Sequence, residues 1–224
     1  MDDGELFATV RSRLFTAVIG DVMDTLGLTR QFLPPEVRAL RPDMMVVGRA
    51  MTVLEADCVG DTVVHANKQD GFGLMFRALD ELRSGEVYIC TGSSPTYALW
   101  GGLMSTRAKL LGAAGAVLGG FHRDTREILE LGFPVFSTGA YAQDQRLRGR
   151  VIDYRCPIAF PNGTRVDAGD LVVGDVDGVL VVPAGRVDEV IGLAIAKVEG
   201  EAMVRTMIER NEPTGAIFEK TGIM

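Results

Sequence analysis

Apolar residues along this chain recur in two rhythms, which predict alternating helices and strands. Leu6 to Leu14 has helical spacing. Thr16 is placed to N-cap a second helix, Ala17 to Leu26, with Gly27 as its stop. Arg38 to Leu40 and Val46 to Glu55 read as strands, the second rich in Val and Thr. Gly71 to Leu82 reads as a helix, because Met75, Ala78, Leu79 and Leu82 fall on one face. Glu86 to Thr91 follows as a strand. Asp57 to Lys68 has no clear period, and Val59-Gly60-Asp61 suggests a turn.

A loop–helix–strand–loop unit comes next. Ser105 to Leu111 is helical, Ala116 to Gly119 is long enough for one buried strand, and Arg123-Asp124 stands at its carboxyl end. Open α/β sheets place ligands at that edge. Gly101-Gly102, at the helix start, lets a ligand approach the backbone, and free N–H groups there suit an anion. A helix to Leu131 then leads through Gly132 into the strand Pro134 to Ser137.

From Arg150 the rhythm shortens to strands at Val151–Tyr154, Ile158–Phe160, Thr164–Val166, Leu171–Asp175 and Val179–Val182. Asn162-Gly163 and Asp177-Gly178 mark hairpins. Arg186 to Glu209 is a long closing helix. The expected organisation is one α/β domain, residues 1–210, with a separate β-rich layer. Residues 211–224 form a tail that reads as an arm or partly disordered.

Composition narrows the function. The 224 residues are 47% hydrophobic, ample for a core, and the net charge of −7 argues against broad nucleic-acid binding. Cys58, Cys90 and Cys156 lack CxxC spacing and read as reduced core residues of a cytoplasmic protein. Met1 to Val10 is acidic, unlike a signal peptide, and no apolar run approaches the ~20 residues of a membrane span. With two histidines and dispersed cysteines, zinc is not expected.

Several stretches taken in order carry a family resemblance: Thr16 to Asp24, Leu40 to Met44, Val47 to Val53, Trp100 to Leu103, Gly119 to Asp124, Phe133 to Phe136, and Gly169 to Val179. Through them the chain resembles the RraA-like family, which includes the regulator of ribonuclease E activity A and class II pyruvate aldolases acting on 4-hydroxy-4-methyl-2-oxoglutarate. The resemblance implies a swivelling β/β/α fold, a homotrimer or hexamer of trimers, and sites between subunits. It implies that Asp124 holds a divalent metal, magnesium or manganese, largely through water. Arg123 would bind the pyruvyl group, and the backbone amides of Gly102, Leu103 and Met104, beside Gly101, would meet the substrate carboxylate. Glu199 would reach in from the neighbouring subunit, with Glu201 as its competitor. One departure stands out: the aldolases carry an acidic residue twenty-one positions before the arginine, where this chain has Gly102.

Each site residue also has a plainer reading. Asp124-Thr125-Arg126-Glu127 fits a capping box, and one carboxylate oxygen could cap while the other meets a metal-bound water. His122 fits packing better than a base role. Glu199 and Glu201 lie on a charged helix face that solvent alone would explain. Lys109 has no neighbour to lower its pKa for Schiff-base chemistry. The expected function is a metal-dependent lyase cleaving or forming carbon–carbon bonds next to pyruvate, with oxaloacetate decarboxylation as a side reaction. The alternative is a non-enzymatic regulatory binder resembling the regulator of ribonuclease E, and the retained Arg123-Asp124 pair argues against it.

Overall fold

The computed structural model describes residues 1–58 and 71–223. The turn expected at Val59-Gly60-Asp61, and His65, lie outside the described residues. In chain order the elements are helices α1 (Asp3–Arg13) and α2 (Thr16–Thr25), strands β1 (Arg38–Ala39) and β2 (Val46–Asp57), helix α3 (Met75–Asp80), and strands β3 (Glu86–Thr91) and β4 (Ala98–Trp100). Helix α4 (Gly102–Leu110), strands β5 (Gly115–Leu118) and β6 (Phe121–His122), helix α5 (Thr125–Leu131) and strand β7 (Val135–Ser137) follow. The chain continues through β8 (Gly149–Tyr154), β9 (Ile158–Ala159), β10 (Arg165–Val166), β11 (Leu171–Asp175) and β12 (Gly178–Val182) to helices α6 (Val187–Glu209) and α7 (Thr214–Thr221).

Strand β2 organises the sheet. It is almost wholly buried, as its near-continuous apolar run requires. It pairs in parallel with β3 and antiparallel with both β11 and β8. The eight-stranded sheet runs β1-β7-β5-β3-β2-β11-β12, with β8 also on β2. Residues 31–39 nearly close it into a barrel: Leu33 N–H donates to Val179 O at 2.9 Å, and Arg38 and Ala39 pair with Ser137 and Phe136. Inside lie Ala50, Ile89, Val117, Phe136, Val172 and Val181, stoppered by Ile158 and Phe160. Outside, α3, α4 and α5 cover the parallel half, while α1, α2 and α6 cover β11 and β12. This is the swivelling β/β/α arrangement expected.

Four local expectations change. The C-terminal strands are not a separate layer: β8, β11 and β12 join the main sheet because β2 is long enough to take partners on both edges, leaving only the β9–β10 pair apart. Thr16 is not an N-cap. It lies inside α2, and the distant Asp175 carboxylate accepts from its N–H and hydroxyl, each at 2.7 Å. Residues 71–74 are not helical, because Gly73 takes a positive φ of 62° and bridges to Val151. The tail is ordered through α7, where Ile217 is fully buried against Val204 and Met207. Among the described residues no helix is long and apolar enough to cross a membrane.

Candidate functional site

The site grows from the parallel pairing of β4 with β6, which lays Gly101 beside Arg123. Arg123 N–H donates to Trp100 O at 2.9 Å. Trp100 is the anchor: its ring is buried, tilted against Tyr88 and stacked on Phe133, and its Nε1 donates to Ser105 Oγ at 2.7 Å. Ser105 Oγ in turn donates to Gly101 O at 3.1 Å. The first turn of α4 is thereby fixed from below. Among the described residues, the Leu103 and Met104 N–H groups at that turn have no partner. They remain available to an anion, as free groups at a helix start do.

Asp124 stands opposite. It adopts the left-handed conformation, φ 59° and ψ 36°, which aspartate tolerates better than most residues. Its side chain makes no capping bond to its own helix. Oδ2 instead accepts from Gly102 N–H at 3.0 Å, and Oδ1 has no partner among the described residues. The capping-box reading of Asp124 and Glu127 therefore fails: the left-handed backbone turns the carboxylate away from α5 and towards α4.

Arg123 is held between two acids, with Nη1 2.9 Å from Asp144 Oδ1 and Nε 3.8 Å from Asp124 Oδ2. Arg123, Asp124 and Asp144 meet Gly101, Leu103 and Met104 in one cleft of about 320 Å³. Its far wall is apolar, made by Phe72, Met75, Phe76, Leu79 and Leu99. Asp144 was missed from sequence; the signal would have been its position in a polar stretch beyond β7, on the carboxyl side of the sheet. Next to it, Gln145 Nε2 donates to Glu55 Oε2 at 2.7 Å. Glu55 is fully buried and its Oε1 has no partner among the described residues, so desolvation pushes its carboxyl up to about 8.

The remaining candidates lie elsewhere or are occupied. His122 Nδ1 meets Ser137 Oγ at 2.7 Å, Nε2 meets Thr125 Oγ1 at 2.9 Å, and burial lowers its pKa. That is a packed, neutral imidazole with no nitrogen left for a substrate proton. Lys109 Nζ donates to Leu131 O at 2.6 Å. Glu199 lies on α6 over the other half of the sheet, paired with Arg13 at 2.7 Å. Glu201 pairs with Lys197 at 3.1 Å. Within one chain, neither glutamate is brought together with Arg123.

These residues fit a hydrated magnesium ion rather than a caged metal. Among the described residues no three His, Cys, Asp or Glu side chains converge on a metal-sized space. Asp124 offers one uncommitted carboxylate oxygen, which suffices for an ion that keeps most of its waters. Charge points the same way. Two carboxylates already face the Arg123 guanidinium, so an anionic ligand entering the cleft benefits from a further cation.

A family model described as RraA-like, Aldolase/RraA, matches residues 16–181. A Halalkalibacterium halodurans protein, provisionally named 4-hydroxy-4-methyl-2-oxoglutarate aldolase, is 32% identical over 216 residues, covering 96% of this chain and 94% of its own. A Streptomyces coelicolor structure, described as an unusual member of the RNase ES inhibitor RraA protein family, superposes with TM-score 0.76 and 26% identity, covering 91% of this chain and 97% of its own. An uncharacterized Pseudomonas syringae protein shares the fold, with TM-score 0.84 and 23% identity over 97% of this chain and 94% of its own.

Proposed function

The chain belongs to the RraA-like family, and from that premise we propose that it is a magnesium- or manganese-dependent lyase that cleaves 4-hydroxy-2-oxo acids, of the 4-hydroxy-4-methyl-2-oxoglutarate type, to release pyruvate. The observation that supports this reading is the placement of Arg123 and Asp124 directly against the open N-terminus of α4, within one cleft. The Leu103 and Met104 N–H groups receive the substrate carboxylate, assisted by the positive end of the helix. Arg123, kept in place by Asp144, meets the charge that develops on the keto oxygen as C3–C4 breaks, an effect worth about 3–4 kcal/mol by analogy with an oxyanion donor. Asp124 would hold the divalent cation through water, and when bound that ion supplies Lewis-acid stabilisation of the same charge. The apolar wall lowers the polarity around the reacting bond. Oxaloacetate decarboxylation develops charge on the same oxygen and belongs to the same site.

Purified protein should release pyruvate from 4-hydroxy-4-methyl-2-oxoglutarate with magnesium or manganese, stop with excess chelator and recover on metal addition. Full activity in chelator, or borohydride trapping of substrate on Lys109, contradicts the reading. The proposed assembly is a homotrimer, or a hexamer of trimers, in which Glu199 of a neighbouring copy completes the site. Sedimentation equilibrium checks it, and a fully active monomer rules it out. A purely regulatory role, of the kind that inhibition of RNase ES implies for the Streptomyces family, accounts less well for an uncommitted carboxylate set beside an arginine.

A further inference from the structure

Gly101 and Gly102 are adjacent, yet neither is there for its backbone angles. Gly101 is extended, with φ −153° and ψ −174°, and Gly102 is an ordinary helical residue without positive φ. Any residue could adopt these conformations. What a side chain at either position would meet first is a neighbouring carboxylate. A Cβ at 101 would lie 2.6 Å from Asp124 Oδ2. A Cβ at 102 would fall on the Glu127 carboxylate, with Glu127 Cβ and Cδ each 3.2 Å away. Two carboxylates, one just before α5 and one in its first turn, thus rest on two glycines at the mouth of α4. Asp124 reaches them through its left-handed backbone and Glu127 from the helix itself.

Glu127 is also uncommitted. Among the described residues its carboxylate has no hydrogen bond or ion pair, although its neighbours Arg126 and Glu130 pair with each other at 2.8 Å. Position 102 is where the resemblance expected an acidic side chain and the sequence supplies none. In space the vacancy is filled: the Glu127 carboxylate stands where the side chain of an acidic residue at 102 would begin. Exchanging which helix contributes the acid conserves the charge at this point while removing it from α4.

We infer that Glu127, exposed beside Gly102 at the edge of the cleft and not in its lining, is the general base of this site, the carboxylate that faces the acceptor half of the substrate. The inference rests on the lyase reading above. In the cleavage direction Glu127 takes the proton of the C4 hydroxyl. The O–H electron pair forms the new C4 carbonyl, the C3–C4 bond breaks, and its electron pair passes to the pyruvyl fragment as the enolate. The proton then returns to C3, giving pyruvate and a second carbonyl compound, with no external oxidant or reductant. Decarboxylation of oxaloacetate has no hydroxyl proton to remove, so it does not call on Glu127 in this way.

The test compares wild type, Glu127→Gln, Gly102→Asp and the double variant Glu127→Gln/Gly102→Asp. The readouts are kcat and KM for pyruvate release from 4-hydroxy-4-methyl-2-oxoglutarate, the ratio of that rate to oxaloacetate decarboxylation, and Mn2+ affinity by calorimetry. Glu127→Gln should lower the cleavage-to-decarboxylation ratio about 10²-fold or more, chiefly through kcat, the scale of a lost general base. Its Mn2+ affinity should match wild type. The double variant should recover about tenfold or more of the ratio, because glutamine can swing aside and the acid returns from α4. An unchanged ratio in Glu127→Gln overturns the inference while leaving the lyase reading intact. Equal loss of both reactions, or loss of Mn2+ binding, also overturns it by making Glu127 a structural or metal-holding residue. A wild type that neither binds Mn2+ nor releases pyruvate overturns the lyase reading itself, and this inference with it.

Discussion

The two halves of the sheet use their aspartates differently. In the antiparallel half, Asp175 accepts from Thr16 N–H and hydroxyl and from Asp177 N–H, and Asp170 accepts from Asp167 and Ala184 N–H groups. Both oxygens of each carboxylate are engaged, tying hairpins and helix starts to β11. In the parallel half, Asp124 commits one oxygen and Glu127 none among the described residues. A carboxylate whose lone pairs are filled by its own chain is architecture. One left half-used beside an arginine and a helix N-terminus has capacity for a ligand. The difference follows from topology: antiparallel strands close with hairpins that fold their polar groups inward, whereas parallel strands leave a carboxyl edge of open loops.

The largest effect should come from breaking the open half. Arg123→Ala should lower kcat/KM for pyruvate release by about 10²–10³-fold, the scale of a lost oxyanion donor. Its urea midpoint should stay close to wild type, since the side chain is partly exposed and its ion pairs add little. Comparable losses of activity and stability would place Arg123 with the architectural group. In the closed half, Asp175→Ala should act in reverse. Stability should fall by about 2–4 kcal/mol in urea titration, because charge-assisted bonds to a helix start are lost. Pyruvate release per folded molecule should not change.

Glu55 sharpens the comparison as a buried acid behind the open half. Its folded-state pKa is raised from 4.5 to about 8, chiefly by desolvation. The folded protein therefore holds a proton that the unfolded chain has released across that window. Stability from this group is fully present below the unfolded pKa and is lost as pH rises through the folded one. Glu55→Gln mimics the protonated carboxyl. Its advantage over wild type in urea midpoint should grow from pH about 5 to pH about 8 and level off above that. A difference independent of pH would mean that Glu55 is ionised in the folded protein.

Most of the framework was legible because it depends on local pattern. Glu86–Thr91 and Leu171–Asp175 form strands with the expected bounds, since uninterrupted apolar runs leave no other way to bury both faces. The Asn162-Gly163 and Asp177-Gly178 turns were equally local. What escaped was set by distant contacts. The joining of β8 and β11 to β2 depends on partners more than ninety residues away. Arg123 and Asp124 were visible as a pair, but the capping box misassigned the direction of Asp124, because sequence spacing does not register a left-handed residue. Asp144 and the contact of Glu127 with Gly102 arise only when β4 and β6 bring separate segments together.

The central claim is that Asp124 serves a ligand and not its helix, and Asp124→Asn tests it most directly. Asparagine tolerates the left-handed backbone of residue 124 and its amide oxygen can still accept from Gly102 N–H, but it lacks the charge that holds a hydrated magnesium ion. Measured together on this variant, thermal stability, Mn2+ affinity and pyruvate release should separate. The melting temperature should remain near wild type, while metal binding and turnover fall by at least about tenfold, each 1.4 kcal/mol of lost affinity being one such factor. A variant that binds Mn2+ and releases pyruvate like wild type would contradict the account.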